Sequence, residues 1–165
     1  VGATKEEVLA IAEEYWQAGV KHIVALRGDP PAGMGAKYEP HPGGFLDSVD
    51  LIRGLRAHRP ELGKCFEISV SCYPELHPEN RGWDAEIAYL KAKQDAGADR
   101  AITQFFFEPE VYFEFLERAR AGGVTLPDLQ EVRTFAEALD DDVRDLCKQA
   151  WNVPVTDIYS TSELG

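Results

Sequence analysis

The chain is short of cysteine, short of basic residues, and without any apolar run long enough to span a bilayer. Cys65, Cys72 and Cys147 are its only thiols, and none lies in a CxxC spacing. An odd, scattered set of three argues against a disulfide framework or a metal site. It fits buried, reduced thiols in a cytoplasmic protein. Lys and Arg number 17 against 29 Asp and Glu, for a net charge of −12 and a pI of about 4.7. That balance sets aside nucleic acid and anionic membranes as partners. It leaves a phosphate-bearing cofactor open, because a few Arg and local backbone amides can hold one against the global charge. Neither a starting Met nor a signal peptide is present at the N-terminus, which reads as a cut or partial chain. No segment is of low complexity, and no sequence repeat recurs.

What is present is a core-forming composition, 44% hydrophobic over 165 residues, enough for one domain of ordinary size. Helical and strand patterns alternate. Thr4 and Glu7 form a capping box ahead of a helix to about Ala18, whose stripe is Val8, Ile11, Ala12, Tyr15 and Trp16. Tyr15 and Trp16 read as core. A strand follows over His22–Leu26, then a Pro- and Gly-rich loop to Gly44 and a helix over Phe45–His58. Cys65–Cys72 is the second strand, Trp83–Ala96 the third helix and Arg100–Phe106 the third strand. A helix over Pro109–Ala121 ends in Gly122-Gly123. A strand at Leu129–Ala136, a helix from the Asp140 region to Trp151 and a strand at Val153–Tyr159 complete the pattern. Five parallel strands in one sheet with helices on both faces, a flavodoxin-like sandwich of the whole chain, is the expected fold. The alternative is an open half of a (β/α)8 barrel that dimerises; strand order does not follow from the pattern.

Chemistry concentrates where strands end. Arg27 and Asp29 follow the first strand, Tyr73 and His77 the second, and Gln104 lies near the end of the third. In α/β folds the carboxyl ends of parallel strands are where ligands bind. Arg27 and Asp29 can equally be a solvated ion pair. His77, between Pro74 and Pro78, can serve in acid–base chemistry or simply bond to its own loop. Gln104 is a neutral donor and acceptor, costly in a core unless paired.

The words HIVALRGDPP (22–31), FEISVSCYPELHPE (66–79) and KAKQDAGADRAITQFFF (91–107) closely resemble the methylenetetrahydrofolate reductases, over about residues 1–125. The resemblance implies a flavin-dependent (β/α)8 barrel that reduces methylenetetrahydrofolate with FAD and a reduced nicotinamide. By motif, Asp29 resembles the carboxylate near flavin and pterin. Arg27, Tyr73 and His77 resemble part of the FAD rim, and Gln104 the folate-binding glutamine. The opening Val1-Gly2-Ala3-Thr4 resembles the residues just after the family's His-Leu-Thr-Cys word. The family's first three strands, with the acid glutamate on the first, are therefore expected to be missing, as are the Pro-Gly and Asn words after Val124. Where the family has a tyrosine ahead of the second helix, this chain has Asp47.

Residues 126–165 resemble a different family, the adenylate-forming acyl-CoA ligases of phenylacetate–CoA ligase type. In that resemblance Tyr159 stacks on adenine, Ser162 stands in the phosphate-contacting word and Glu163 helps to hold Mg²⁺; the same residues can also be the plain end of a strand. Two resemblances in one chain lead to the expectation of an engineered or recombined chimera, joined near residues 124–128, with no complete active site. It is expected as monomer or homodimer, with no metal and no bound cofactor on purification. The alternatives are a residual FAD- or folate-binding fragment, for which FAD remains a possible ligand, and a minimal flavin oxidoreductase.

Overall fold

The computed structural model describes residues 2–29, 38–58, 60–61, 66–77, 82–125, 129–135 and 140–158. Its elements are α1 (Lys5–Gln17), β1 (His22–Val24), α2 (Ser48–Ala57), β2 (Glu67–Cys72), α3 (Trp83–Asp95), β3 (Arg100–Thr103), α4 (Pro109–Ala121), β4 (Val132–Phe135), α5 (Asp141–Trp151) and β5 (Val155–Ile158). The chain divides into two compact units, Val1–Thr125 and Leu126–Gly165.

In the first unit the helix starts are built as the capping residues dictate. Thr4 Oγ1 accepts from the Glu7 amide at 3.2 Å, and Glu7 Oε2 accepts from the Thr4 amide at 2.8 Å. Asp47 caps α2 by accepting from the Asp50 amide at 2.8 Å. Pro109 opens α4 at a position where its missing N–H costs nothing. The three strands are parallel and lie in the order β1-β2-β3. His22 pairs with Glu67, and Ser69 with both Val24 and Arg100.

That order corrects the expected architecture. Parallel strands laid down consecutively, each reached by a right-handed crossover, place every crossover helix on the same face. Helices on both faces need a reversal of strand order, and the β1-β2-β3 sheet has none. α1, α2, α3 and α4 accordingly pack as successive neighbours. Nor do the five strands form one sheet among the described residues. They pair as three and two, with β4 and β5 in a separate parallel pair. Apolar patterning marks a strand but carries no information on which strand pairs with it, so a single flavodoxin-like sheet did not follow from it. The first unit instead has the layout of part of a (β/α)8 barrel.

The core lies between sheet and helices. Ile68 and Val70 of β2 and Ile52 of α2 are fully buried, and Leu90 of α3 and Phe115 of α4 are buried with them. Trp16 sets its ring edge-on to buried Phe66 at 5.2 Å, whereas Tyr15 is 52% exposed and is not part of the core. α4 comes close to α3 at Gly122, where an added Cβ would run into Ile87 Cγ2. Gly122→Ala is therefore expected to lower stability by about 1–3 kcal/mol through overpacking. A urea midpoint unchanged from the parent chain would contradict that close approach.

The opposite face of the sheet carries a different set. Toward the amino ends of the strands it is polar. His22 Nε2 and Ser69 Oγ are 2.7 Å apart, and Arg100 pairs with Glu67 at 2.5 Å. Toward the carboxyl ends Val24, Leu26 and Ile102 are exposed.

In the second unit β4 and β5 are parallel, with Val132 opposite Val155 and Phe135 opposite Ile158. Asp140 caps α5, and Asn152 ends it in the left-handed conformation at φ 53°. Among the described residues no helix is long and apolar enough to cross a membrane.

Candidate functional site

The candidate site is the carboxyl edge of the three-stranded sheet. Past β1 the ladder continues for one bond, from the Ala25 amide to the Ser69 carbonyl at 2.8 Å. Leu26 and Arg27 then leave the sheet. Gly28 takes a positive φ of 81°, a turn that L side chains resist, and Asp29 follows it exposed. The Arg27 guanidinium lies over the Tyr38 ring at 4.6 Å from its centroid. Leu26, Arg27, Tyr38, His41, Phe45 and Asp47 help to line a cavity of about 140 Å³.

The wall of this cavity is tied together at the starts of α1 and α2. The Lys5 amide donates to the Gly43 carbonyl at 2.8 Å. The Lys5 ammonium pairs with Asp50 at 2.9 Å and lies 5.0 Å from the centre of the Phe45 ring. The bond from Lys5, then that from the Leu46 amide, hold the Asp50 carboxyl below the ordinary aspartate range.

At the end of β2, Tyr73-Pro74-Glu75-Leu76 is a tight turn. The Leu76 amide donates to the Tyr73 carbonyl at 3.3 Å, and Leu76 itself has φ 70°. A branched residue in that region costs about 1–2 kcal/mol. Fully buried Pro74 holds the turn. The reversal returns His77 against Tyr73, ring edge to ring face, with centroids 4.6 Å apart. Beyond β3 the Gln104 amide donates to the Cys72 carbonyl at 2.7 Å, leaving the Gln104 side chain exposed.

All five sequence-predicted rim residues in this unit thus leave one edge of one sheet. Tyr73 and His77 touch each other. Arg27 is engaged by Tyr38, a contact the sequence did not announce. Tyr159, Ser162 and Glu163 lie outside the described residues. Among the described residues no cluster of His, Cys, Asp and Glu could hold a metal ion.

Two further residues stand out for their burial. Lys93 and Glu86 of α3 are 3% and 8% exposed. The Lys93 ammonium donates to the Ser71 carbonyl at 2.8 Å and lies 4.6 Å from the centre of the Tyr89 ring. The Tyr89 hydroxyl meets Ser48 Oγ at 2.9 Å. Burial lowers the Lys93 pKa, against the opposing pull of Glu86. Burial also pushes the nearby Cys72 thiol up to about 12, which leaves it protonated and unreactive at neutral pH. The signal for Lys93 was in the sequence. Glu86, Leu90 and Lys93 recur at the spacing of the helix's buried face, where a charge needs a partner.

Comparison with known proteins agrees with this layout. The family model described as methylenetetrahydrofolate reductase matches residues 1–142. The 5,10-methylenetetrahydrofolate reductases of Salmonella typhimurium and Escherichia coli are each 42% identical to the chain over 141 residues, 84% of the chain. A probable methylenetetrahydrofolate reductase (NADH) of Oryza sativa is 38% identical over 118 residues, 66% of the chain and 19% of that protein. The chain spans 44% of the length of the two bacterial relatives.

The family match also corrects the expected chimera. It runs through residues 124–128, where a join was expected, and takes in β4 and the start of α5. The expected join therefore falls inside the matched stretch. Nothing supports a ligase-like segment or an engineered origin. Matched over most of its length, with strands laid in barrel order, the chain belongs to the methylenetetrahydrofolate reductase family.

Proposed function

We propose that the chain is part of a flavin-dependent methylenetetrahydrofolate reductase and contributes the rim that faces cofactor and folate. The observation that carries this is the departure of Arg27, Asp29, Tyr73, His77 and Gln104 from one edge of three adjacent parallel strands.

The residues present fit FAD by their chemistry. A dinucleotide needs cationic donors for its phosphates, an apolar floor for its ring system and polar groups at the ring edge. Arg27 and the buried Lys93 are the cations, and Val24, Leu26 and Ile102 are an exposed apolar floor at the same ends of the strands. Arg27, Tyr73, His77 and Asp29 would hold the cofactor; when bound, FAD supplies hydride transfer from a reduced nicotinamide to the folate. Asp29 offers a carboxylate to N–H groups of flavin or pterin. The Gln104 carboxamide, donor and acceptor at once, matches the amide edge of a pterin. The strained turn at Leu76 keeps the Tyr73–His77 pair in place ahead of binding.

Titrating FAD into the purified chain, followed by quenching of flavin fluorescence, tests this directly. Saturable binding is expected, weakened roughly tenfold or more in Arg27→Ala/Asp29→Ala, the loss of about 1.4 kcal/mol or more of contact. Gln104→Ala is expected to leave FAD affinity unchanged and to weaken folate alone. Linear, unsaturable quenching, or full affinity in the double variant, would remove the rim from the cofactor site.

A further inference from the structure

Asp47, whose side chain caps α2 through the Asp50 amide at 2.8 Å, is one wall of the cavity beside β1. Phe45 brings one ring to it and Tyr38 a second. Tyr38, within the Pro- and Gly-rich loop, lines the cavity together with Arg27 and lies half-buried beneath the guanidinium.

We infer that Tyr38 is a positioning residue for the flavin dinucleotide, acting through Arg27. The inference rests on the rim being the FAD site. An arginine side chain is long and rotamer-rich, and holding it in one geometry for a ligand carries an entropic cost. A ring beneath the guanidinium meets part of that cost before the ligand arrives. A cation over a ring also keeps its positive charge, which an ion pair would neutralise, and charge is what a phosphate recognises. The Arg27–Tyr38 contact is therefore an arrangement suited to a phosphate. The cavity next to it, about 140 Å³, is comparable with a cavity of ~150 Å³ that takes one benzene-sized ring. That size suits a single ring of a ligand whose phosphates lie outside.

The test is a titration of FAD and of riboflavin, which lacks phosphate, into the parent chain, Tyr38→Phe, Tyr38→Leu and Arg27→Ala. Tyr38→Leu is expected to weaken FAD five- to tenfold and to leave riboflavin within twofold. Tyr38→Phe, which keeps the ring, is expected to bind FAD like the parent. Tyr38→Leu added to Arg27→Ala is expected to cause no further loss, because the ring acts through the guanidinium. Arg27→Lys, which keeps the charge and loses the planar face, is expected to behave as Tyr38→Leu. It carries the same test should Tyr38→Leu melt at a lower temperature than the parent. If the parent binds FAD and neither Tyr38→Leu nor Arg27→Lys weakens it, the positioning role is wrong and the rim assignment stands. Equal losses in Tyr38→Phe and Tyr38→Leu would assign the effect to the hydroxyl and overturn the stacking role. Absence of FAD binding by the parent would overturn the rim assignment and this inference with it.

Discussion

Arg56→Ala is expected to cost about 3 kcal/mol of folding stability, among the largest losses from a single side chain on the first unit. Arg56 sits in the last turn of α2 and donates to three residues at once. Its Nε and Nη2 reach the Gly97 carbonyl at 3.0 and 2.6 Å, and its Nη1 reaches the Phe66 carbonyl at 3.0 Å. Nη2 also meets Asp99 Oδ2 at 2.6 Å, and the same oxygen accepts from the Ile68 amide at 2.8 Å. One side chain therefore closes the amino end of the sheet, where β2 begins and the chain turns from α3 into β3. Truncation leaves the Gly97 and Phe66 carbonyls without this donor, at about 1–3 kcal/mol each where water cannot replace it. The ion pair itself adds little, because the Asp99 side chain is 47% exposed. Arg56→Lys is expected to recover less than half of the loss, since an ammonium cannot span the three acceptors that the planar fork reaches. Urea unfolding of the three proteins decides it. A loss under 1 kcal/mol in Arg56→Ala would mean that the fork is a surface contact and not a clamp.

The clamp marks the boundary of what could be read from the sequence. Thr4, Pro109 and the Gly-rich helix ends announce their elements because the signals are local: a cap or a missing N–H acts within one turn. The strand-end positions of Arg27, Asp29, Tyr73, His77 and Gln104 were legible for the same reason, since each lies at or beyond the end of an apolar run that reads as a strand. Arg56 was not, because its partners are 10 to 43 residues away and a cation in the last turn of a helix has a sufficient local explanation in the helix dipole. Sheet order was hidden in the same way. Only the register brings His22, Glu67, Ser69 and Arg100 together on one face. The join expected near residues 124–128 misled in a different way: a division between two compact units does lie there, but the family match runs through it.

Lys93→Met separates stability from function most sharply. Alone, it is expected to cost about 3 kcal/mol, because it leaves the buried Glu86 without the positive charge that offsets it and the Ser71 carbonyl without its donor. Lys93→Met/Glu86→Leu removes both desolvated charges and is expected to regain most of that loss, since neither charge is then left buried without the other. Both variants are expected to bind FAD at least tenfold more weakly than the parent if Lys93 serves the rim. A double variant as stable as the parent and defective in binding would show that the buried charge is kept for the ligand at the expense of the fold. Alkaline pH gives an independent check. Burial lowers the pKa of Lys93 in the folded chain, so the folded state releases this proton before the unfolded state does at about 10.5. Between those two values the unfolded chain binds more protons, and stability rises with pH by that amount. The parent is therefore expected to gain stability relative to Lys93→Met as pH increases toward 10.5. Parallel pH profiles for the two proteins would place Lys93 in water and take it out of the site.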